Sequence, residues 1–330
     1  MTSVESGHVY VHYRLDGQLK LLNTRELQAK CAARQFLLEL MFADDMGLAC
    51  HTVPAMQRVC DRLHRAVTKY GLTISLGKTE FMAQFAPVEV DGVRAAPPPP
   101  PVITIDGTAL KTVPQFVYLG GKLANDGTLD AEIAVRIQRA AAVFGKLWAR
   151  VWSQSNITTN TKVALYRATV LTTLLYGCET WAATRRQLKK MEAFHHRCLR
   201  RLMGIKWQEL VPTTDVLARA GIERVETMIR ACRLKWLGHV ARMPDDRLPK
   251  KLLFGKLEHG ARHAGGQKRR WKDCVKEDML KFAMVKQFQQ RQQPNFADMA
   301  ADRPRWRAKI AEGACFLRPC GRMKPRKPAL

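Results

Sequence analysis

Apolar residues in the first 124 positions fall into short runs that turn residues separate. Two runs, at 35–42 and 46–50, flank a pair of acidic residues, and the alternation over 9–13 and 72–76 is typical of strands. Two further strand candidates follow, at 102–105 and 115–119, with Asp106-Gly107 between them as a turn signal. The pattern predicts a region of short strands and hairpins.

One helix interrupts these strands. Apolar residues recur at spacings of three and four from Met56 to Tyr70, as on one face of a helix. Gly71 follows directly, and glycine is favoured where the chain leaves a helix in a left-handed conformation. We therefore expect the helix to end at Gly71.

From Thr128 onward the apolar spacing is helical and predicts four helices. Thr184 and Gln187 form the capping-box pattern at the start of the third, which would turn His195 and Cys198 inward, and Trp236 on the fourth is expected in the core. The apolar stripes are Ile133, Ile137, Ala141, Phe144, Trp148 and Val151; Val163, Tyr166, Val170, Leu174 and Cys178; Leu188, Met191, His195, Cys198 and Leu202; Val225, Met228, Cys232, Trp236 and Val240.

The sequence divides where its composition changes. Five prolines at 97–101 form a stiff stretch, which we interpret as a surface spacer, with a proline-rich ligand segment as the alternative. After about Gly260 the chain is rich in Gly, Arg and Lys, and partial disorder is expected. The predicted division is 1–96, 97–101, 102–124, 125–260 and 261–330, in an α+β class that becomes mostly α after the strands.

Charge distinguishes the two halves of the chain. The 330 residues contain 55 Lys and Arg against 29 Asp and Glu, a net charge of +26, and +22 of that lies after Thr180. Residues 181–280 hold 24 basic and 11 acidic side chains, whereas solvated helix faces would carry the two signs in similar number. A protein this basic usually binds a polyanion, and nucleic acid is the first candidate.

Cysteine usage and hydropathy exclude several other classes. None of the nine cysteines forms a CxxC pair, which argues against a disulfide framework or a zinc ribbon and favours a reducing compartment. His195, His196 and Cys198 lack a partner pair with zinc spacing, so we interpret them as helix-face residues. No apolar run is long enough for a membrane span and no signal-peptide core is present, so a nuclear or cytoplasmic protein is expected.

The acidic pair Asp44 and Asp45 has two interpretations. It can be a simple hairpin turn, since Asp is common in turns. Alternatively, two carboxylates between strands apolar enough to be buried would repel each other and be costly to desolvate unless a cation binds there. Carboxylate oxygens suit Mg²⁺ or Mn²⁺.

Several segments in fixed order resemble the C-terminal half of the reverse transcriptases of LINE-type (non-LTR) retrotransposons, over about residues 8–285. The segments are FADD at 42–45, GLTIS with KTE at 71–80, FVYLG at 116–120, LLYGCETW at 174–181, RLKWLGHVARMP at 233–244 and GGQKRRWKD at 265–273. In that family FADD corresponds to palm motif C and the GLTIS–KTE segment to motif D. The resemblance implies a partial palm over 1–96, with the YLG segment at 102–124, a helical thumb and connection over 125–260, and a basic C-terminal region.

The resemblance also implies roles for individual residues. Asp44 would bind the two catalytic Mg²⁺ (or Mn²⁺) ions, with Asp45 as a lesser ligand, and Lys78 would be a proton donor or a charge partner for pyrophosphate. A solvated surface lysine is the alternative for Lys78. The partners would be an RNA template and a DNA primer or duplex, which a thumb holds by the backbone.

Basic side chains after Thr180 are the candidates for that backbone contact. They are Arg185, Lys189, Arg197, Arg200 and Arg201 on the third helix, and Lys268, Arg269 and Arg270, which are also candidates for a nuclear-localisation signal. Trp207 and Trp271 stand near basic residues and could stack on bases or pack in the protein.

The departures from the family limit the expected activity. Motif A, with the first metal aspartate, and motif B would need more than the 43 residues before Asp44, and Asp16 lies in a turn-like segment. The metal site is therefore expected to be incomplete. We predict an RNA-directed DNA polymerase by descent that is a truncated fragment, inactive or nearly so by itself. The alternative is a non-catalytic nucleic-acid-binding remnant, and a third, a helical scaffold, has less support.

Overall fold

The computed structural model describes residues 9–14, 32–37, 39–85, 89–90, 93–94, 98–257, 270–285 and 296–317, and it is mixed α+β, as predicted. The strands are β1 Val9–Arg14, β2 Ala32–Leu37, β3 Glu39–Phe42, β4 Asp45–Leu48, β5 Glu80–Phe81, β6 Glu89–Val90, β7 Val93–Arg94, β8 Thr104–Ile105, β9 Thr108–Ala109, β10 Lys111–Thr112, β11 Gln115–Tyr118, β12 Gly121–Ala124 and β13 Lys256–Leu257. The α-helices are α1 Val53–Lys69, α2 Asp130–Lys146, α3 Thr159–Tyr166, α4 Thr172–Leu174, α5 Arg185–Leu202, α6 Thr213–Ala220, α7 Val225–Ala241, α8 Leu248–Phe254, α9 Trp271–Lys281, α10 Phe296–Ala301 and α11 Arg303–Phe316. Among the described helices, none is both long and apolar enough to cross a bilayer.

The chain forms two compact units. The first contains residues 1–131 and 245–267, and the second contains 132–244 and 268–330. These units divide the chain differently from the five predicted segments, because the chain returns after 244 to the first unit. There β13 pairs antiparallel with β1, which pairs antiparallel with β2. The five-part division itself stays a prediction.

Helix α1 ends as the sequence predicted. Gly71 has a φ of +70° and its N–H donates to the Thr68 carbonyl, while the Leu72 N–H donates to Val67. These two bonds form the Schellman arrangement that satisfies carbonyls at a helix end. The helix therefore stops where its sequence provides glycine.

A small apolar cluster under α1 organises the middle of the first unit. Its buried members are Cys60, Ile103, Ile105 and Leu110, and Met56, Ile74, Leu76 and Phe81 pack against it. The predicted strand over 72–76 is wrong: residues 72–75 are irregular, and the alternation reflects Ile74 and Leu76 contacting this cluster without ladder hydrogen bonds. The regular strand begins later, at β5, which pairs parallel with β10.

The strand candidates at 102–105 and 115–119 lie in separate hairpins. β8 pairs with β9 across Asp106-Gly107, and β11 pairs with β12 across Leu119-Gly120. All four turn residues have positive φ, from +48° to +77°, as two-residue hairpin turns of this kind require. The Asp-Gly turn is confirmed, and the YLG segment is itself a hairpin turn.

The second unit is built from helices, and its apolar stripes differ in detail from the prediction. In α2 the buried face contains Ile133, Ala140 and Phe144, whereas Ala141 is exposed. Trp148, on the predicted stripe, is 41 % exposed, and a π-helical segment, Trp148–Trp152, then changes the register, so that Trp152 is buried. The wider turn rotates the later side chains away from the face that a uniform 3.6-residue period predicts.

Helix α7 is buried over most of its surface. Val225 and Val240 lie in the core as predicted, but Met228, Cys232 and Trp236 are half-buried. The remaining buried positions of α7 include Ile229, Arg230, Arg233, Leu234 and Leu237. A single stripe could not predict this, because α7 packs against several elements, among them α5, α9, α10 and α11.

Candidate functional site

The acidic pair lies at the tip of an antiparallel hairpin. β3 pairs with β4 so that Phe42 faces Asp45, which leaves Ala43 and Asp44 as the two turn residues. Ala43 has a φ of +54°, a strained value for a residue with a Cβ that fits the first central position of such a turn. The predicted hairpin is confirmed, with Asp44 in the turn and Asp45 opening β4.

Both carboxylates are exposed to solvent, and so are the apolar residues of β3. Leu40, Met41 and Phe42 are 41 %, 60 % and 64 % exposed. The expectation that this hairpin is buried is therefore wrong, since among the described strands β3 and β4 pair only with each other. Exposed carboxylates keep their hydration, so the cost of burying them is no longer an argument for a bound cation. The preference of carboxylate oxygens for Mg²⁺ or Mn²⁺ is unaffected.

The donor set at the hairpin fits part of a metal site. Carboxylate oxygens suit Mg²⁺ and Mn²⁺, and within the described part of the chain no lysine or arginine forms an ion pair with Asp44 or Asp45. The described residues contain no group of three or more His, Cys, Asp or Glu side chains placed to hold one ion. Asp16 lies outside the described residues. Metal binding by this pair therefore stays a prediction.

The YLG hairpin contacts the FADD hairpin. The Tyr118 hydroxyl donates a 3.1 Å hydrogen bond to the carbonyl oxygen of Leu40 on β3, and the Tyr118 ring lies 3.7 Å from where a Cβ of Gly47 on β4 would be. A Cβ at this distance would be in ordinary van der Waals contact, so the ring lies directly beside Gly47. One tyrosine consequently contacts both strands that present the two aspartates.

Lys78 lies in an exposed turn between α1 and β5. Its backbone N–H donates to the Ser75 carbonyl over 3.0 Å, and its side chain is exposed. The described structure gives Lys78 the surroundings of a solvated lysine, and its assignment as a proton donor stays a prediction.

Helix α5 separates a basic face from a buried face. Its N-terminus has the predicted capping box, because Thr184 accepts from the Gln187 N–H and Gln187 accepts from the Thr184 N–H. Seven basic residues lie within roughly 160° of the helix circumference: Arg185, Arg186, Lys189, Lys190, Arg197, Arg200 and Arg201. We call these residues the α5 basic face. Glu192, the acidic residue of this helix, is half-buried outside that face.

The predicted contact residues on α5 are not equivalent. Arg185, Lys189, Arg197 and Arg201 are exposed. Arg200 is half-buried, and its Nη2 donates to the Val211 carbonyl over 2.7 Å, so part of its role is to hold the chain after the helix.

An aromatic side chain extends the surface beside the basic face. The Arg201 guanidinium lies 5.4 Å from the ring centroid of Trp148, within the range of a cation–π contact. Lys146 and Arg150, on either side of Trp148 in the chain, are also exposed. The sequence had placed Trp148 on a buried stripe and so missed this neighbour.

The other candidates separate into exposed and structural residues. Trp207 is 80 % exposed just after α5, whereas Trp271 is half-buried and its Nε1 donates to the Glu179 carbonyl over 2.7 Å. Arg270 is exposed at the start of α9, and Lys268 and Arg269 lie outside the described residues. Trp207 therefore remains a stacking candidate, and Trp271 links two segments of the second unit.

The buried face of α5 contains a polar cluster. His195 is fully buried, and a 2.9 Å hydrogen bond joins its Nδ1 to the Tyr166 hydroxyl. Burial lowers the pKa of His195 to about 4, so the ring is neutral at pH 7. Glu192 accepts from the Glu226 N–H and pairs with His196 at 3.2 Å. These contacts are those of a hydrogen-bonded core cluster.

A buried ionic cluster, which the sequence did not reveal, joins the GCETW and RLKWLGH segments to Asp278, which lies just after the GGQKRRWKD segment. Arg233 of the RLKWLGH segment bonds to both carboxylate oxygens of Asp278, and its Nη1 donates to the carbonyl of Trp181 in the GCETW segment. Arg230 also pairs with Asp278, at 2.7 Å. Arg230 and Arg233 are thus neutralised in the core, and the excess of basic residues over 181–280 overstates the basic surface.

The comparisons with known proteins give one match. A Caenorhabditis elegans protein named as an uncharacterized transposon-derived protein is 24 % identical over 249 residues, which are 74 % of this chain and 85 % of that protein. No protein-family model and no solved structure matches the chain. The chain is thus similar to a transposon-derived protein over most of the length of both.

Proposed function

We propose that the chain is the C-terminal part of a LINE-type reverse transcriptase. Its α5 basic face binds the phosphate backbone of nucleic acid. The observation that carries the binding function is the grouping of seven lysines and arginines on one side of a helix, with no acidic residue among them. Such a surface attracts phosphate without reading bases.

The dimensions of the α5 basic face suit a duplex. From Arg185 to Arg201 the helix rises about 24 Å, which matches the rise of roughly seven base pairs. Trp148, beside Arg201, and Trp207, shortly after α5 in the chain, add exposed aromatic surface where an unpaired base could stack. The probes should therefore include both a duplex and a single strand.

The FADD hairpin supports descent from a polymerase. Asp44 lies in a tight turn and Asp45 opens β4, both carboxylates are exposed to solvent, and Tyr118 of the YLG segment bonds to Leu40 on β3. In a polymerase, bound Mg²⁺ stabilises the attacking and leaving oxygens of the phosphoryl transfer. Asp44 and Asp45 would hold their share of such ions.

Polymerase activity by this chain alone is not expected. A two-metal centre needs carboxylates from more than one segment, and the resemblance supplies only one of these segments, the FADD hairpin. Losing the alignment of the metals raises the barrier by several kcal/mol, so the rate should fall by roughly three orders of magnitude or more. The second candidate is accordingly a non-catalytic nucleic-acid-binding remnant.

Primer extension with a binding assay tests both candidates. The full chain, Asp44→Ala and the control Asp61→Ala, which removes an exposed acid from α1, are compared on a primed RNA template with Mg²⁺. We expect no extension by any of them, and binding by all three that weakens steeply as salt rises.

Two other results would change the conclusion. Extension by the chain and by Asp61→Ala, but not by Asp44→Ala, would establish a polymerase and refute the remnant. Absence of both extension and salt-sensitive binding would contradict the proposal as a whole.

A further inference from the structure

Two free cysteines of the second unit lie side by side. Cys178 begins a 3₁₀ helix, Cys178–Thr180, and Cys232 lies in the middle of α7. Their thiols are within hydrogen-bond reach of each other. Cys178 is only 1 % exposed, whereas Cys232 is half-buried.

The backbone around both cysteines is held in place. Gly177, at a φ of +73°, turns the chain into the 3₁₀ helix, and the Cys178 N–H donates to the Leu175 carbonyl. The neighbour of Cys232, Arg233, donates to the Trp181 carbonyl directly after that 3₁₀ helix. The Arg233–Trp181 bond therefore ties α7 to the end of the 3₁₀ helix beside the cysteine pair.

Cys232 also lines an open pocket of about 530 Å³. The pocket lies between helix α7, helix α11 and the segment that runs from the end of α3 into α4. The walls are mostly apolar, from residues such as Leu171, Ile222, Met228 and Ile310. Three cations and one acid line the same pocket: Arg167, Lys235, Arg307 and Glu223. A small aromatic or aliphatic molecule with a negative charge fits this combination of an apolar wall and an excess of positive charge.

The hydrogen bond between the thiols distinguishes their roles. The bond from the Cys178 thiol lowers the pKa of Cys232 against the opposing effect of burial, and Lys235 lowers it further. The same bond, together with burial, raises the pKa of Cys178. Cys232 therefore has the larger thiolate fraction, and the thiolate is the form that attacks disulfides.

We propose that this pocket admits small anionic disulfides, and that Cys232 with Cys178 reduces them by thiol–disulfide exchange. The Cys232 thiolate attacks one sulfur, forms a mixed disulfide and releases the first small thiolate. Cys178 loses its proton to solvent and attacks the Cys232 sulfur, which forms a Cys178–Cys232 disulfide and releases the second thiolate. Two electrons pass from the cysteine pair to the small disulfide.

Dithiobis(nitrobenzoate), an aromatic anionic disulfide whose released thiolate is coloured, is a suitable probe. We expect the folded chain to show a fast phase that releases two thiolates per chain, about tenfold faster than its other cysteines react. Cys178→Ser should release one thiolate and retain the label on Cys232, and Cys232→Ser should lose the fast phase. Cys50→Ser is the matched control, because Cys50 is also half-buried but burial raises its pKa, and it should leave the fast phase unchanged.

Two further measurements test the pair and the pocket without relying on those variants. Peptide mapping of the reacted wild-type chain should find a Cys178–Cys232 disulfide. Arg307→Gln should slow the anionic reagent severalfold but leave the neutral reagent dithiodipyridine unaffected. A fast phase that survives Cys232→Ser, a peptide map without this disulfide, or equal effects of Arg307→Gln on both reagents would overturn the proposal.

Discussion

Arg233 on α7 donates from Nε to Oδ2 of Asp278 over 2.6 Å and from Nη2 to Oδ1 over 2.9 Å, in a bidentate pair at the centre of the second unit. Asp278 has no exposed surface, and Arg230 adds a third bond to the same carboxylate. Since Arg233 also holds the Trp181 carbonyl, α7, α9 and the GCETW segment meet at one point. Two positive charges are buried against one carboxylate there, with Glu226 and Glu277 pairing Arg230 from the side.

Removing the charge of Asp278 should therefore destabilise the second unit strongly. Asp278→Asn keeps the shape of the side chain but leaves the arginines without their buried counter-ion, and we expect a loss of about 3–5 kcal/mol in the free energy of unfolding. Urea unfolding followed by circular dichroism measures this. Glu277→Gln, which weakens a partly exposed pair with the same Arg230, should cost about 1 kcal/mol or less. Similar losses for the two variants would contradict the buried-pair interpretation.

The packing of Gly238 against Trp306 gives a second stability prediction. Trp306 is buried and its Nε1 donates to the Leu234 carbonyl, and a Cβ at Gly238 would lie 2.6 Å from its Cδ1. Gly238→Ala should thus destabilise the protein by about 1–3 kcal/mol, although alanine favours helices. Thermal and urea unfolding would measure the change.

Gly145 in α2 provides the control for Gly238, because nothing lies within 4 Å of a Cβ built there. Gly145→Ala should be neutral or stabilising by up to about 1 kcal/mol. If Gly238→Ala were as well tolerated as Gly145→Ala, the contact with Trp306 would not constrain that position.

The features predicted from sequence are those that local chemistry decides. The hairpin at Asp44 and Asp45, the end of α1 at Gly71 and the capping box at Thr184 each depend on residues close together in the chain. The first two follow from turn preferences, and the third from a side chain that accepts a backbone hydrogen bond three residues away. For this reason these three features could be predicted from the sequence without knowledge of the tertiary structure.

The features that the sequence could not reveal depend on distant partners. Arg233 resembles any other surface arginine until Asp278, 45 residues later, is placed beside it. The exposure of Phe42 was mispredicted for the same reason, since an apolar strand is buried only if another layer covers it. The contact between Tyr118 and Leu40 likewise joins two hairpins that no local pattern connects.

The buried His195 predicts how stability depends on pH. Burial lowers its pKa in the folded protein to about 4, below its ordinary value of roughly 6.5, so between these values the unfolded chain binds more protons. The contribution of the neutral ring is fully present above about pH 6.5 and is lost as the pH falls toward 4, by at most about 1.4 kcal/mol per pH unit. Glu192, whose pKa is also lowered in the folded state, adds to the loss in the same direction at lower pH.

Unfolding free energies measured from pH 4 to 7 would test this. His195→Gln should flatten the pH dependence between 4 and 6.5, whatever its effect on stability at pH 7. His239→Gln, which replaces an exposed histidine on α7, should leave the slope as it is. An unchanged slope in His195→Gln would show that His195 does not titrate as a buried group.

The α5 basic face predicts where nucleic acid binds. Arg200 is unsuitable for this test because it also holds the Val211 carbonyl, so Arg185, Lys189 and Arg197 are replaced together by Gln. Binding to labelled RNA and DNA duplexes should weaken at low salt, since each lost phosphate contact removes a share of the counterion release. The slope of log K against log salt should become shallower by up to about 2.7, at roughly 0.9 per contact on a duplex.

A control with the same charge separates this local effect from net charge. Gln at Arg62, Arg65 and Lys69 removes three exposed positive charges from α1 in the first unit, so both variants carry the same net charge. If α5 contacts the phosphates, the α1 variant should keep the steep slope and most of the affinity, because side chains that contact no phosphate release no counterions. Equal losses in both variants would mean that the +26 charge acts as a whole, and that α5 is not the interface.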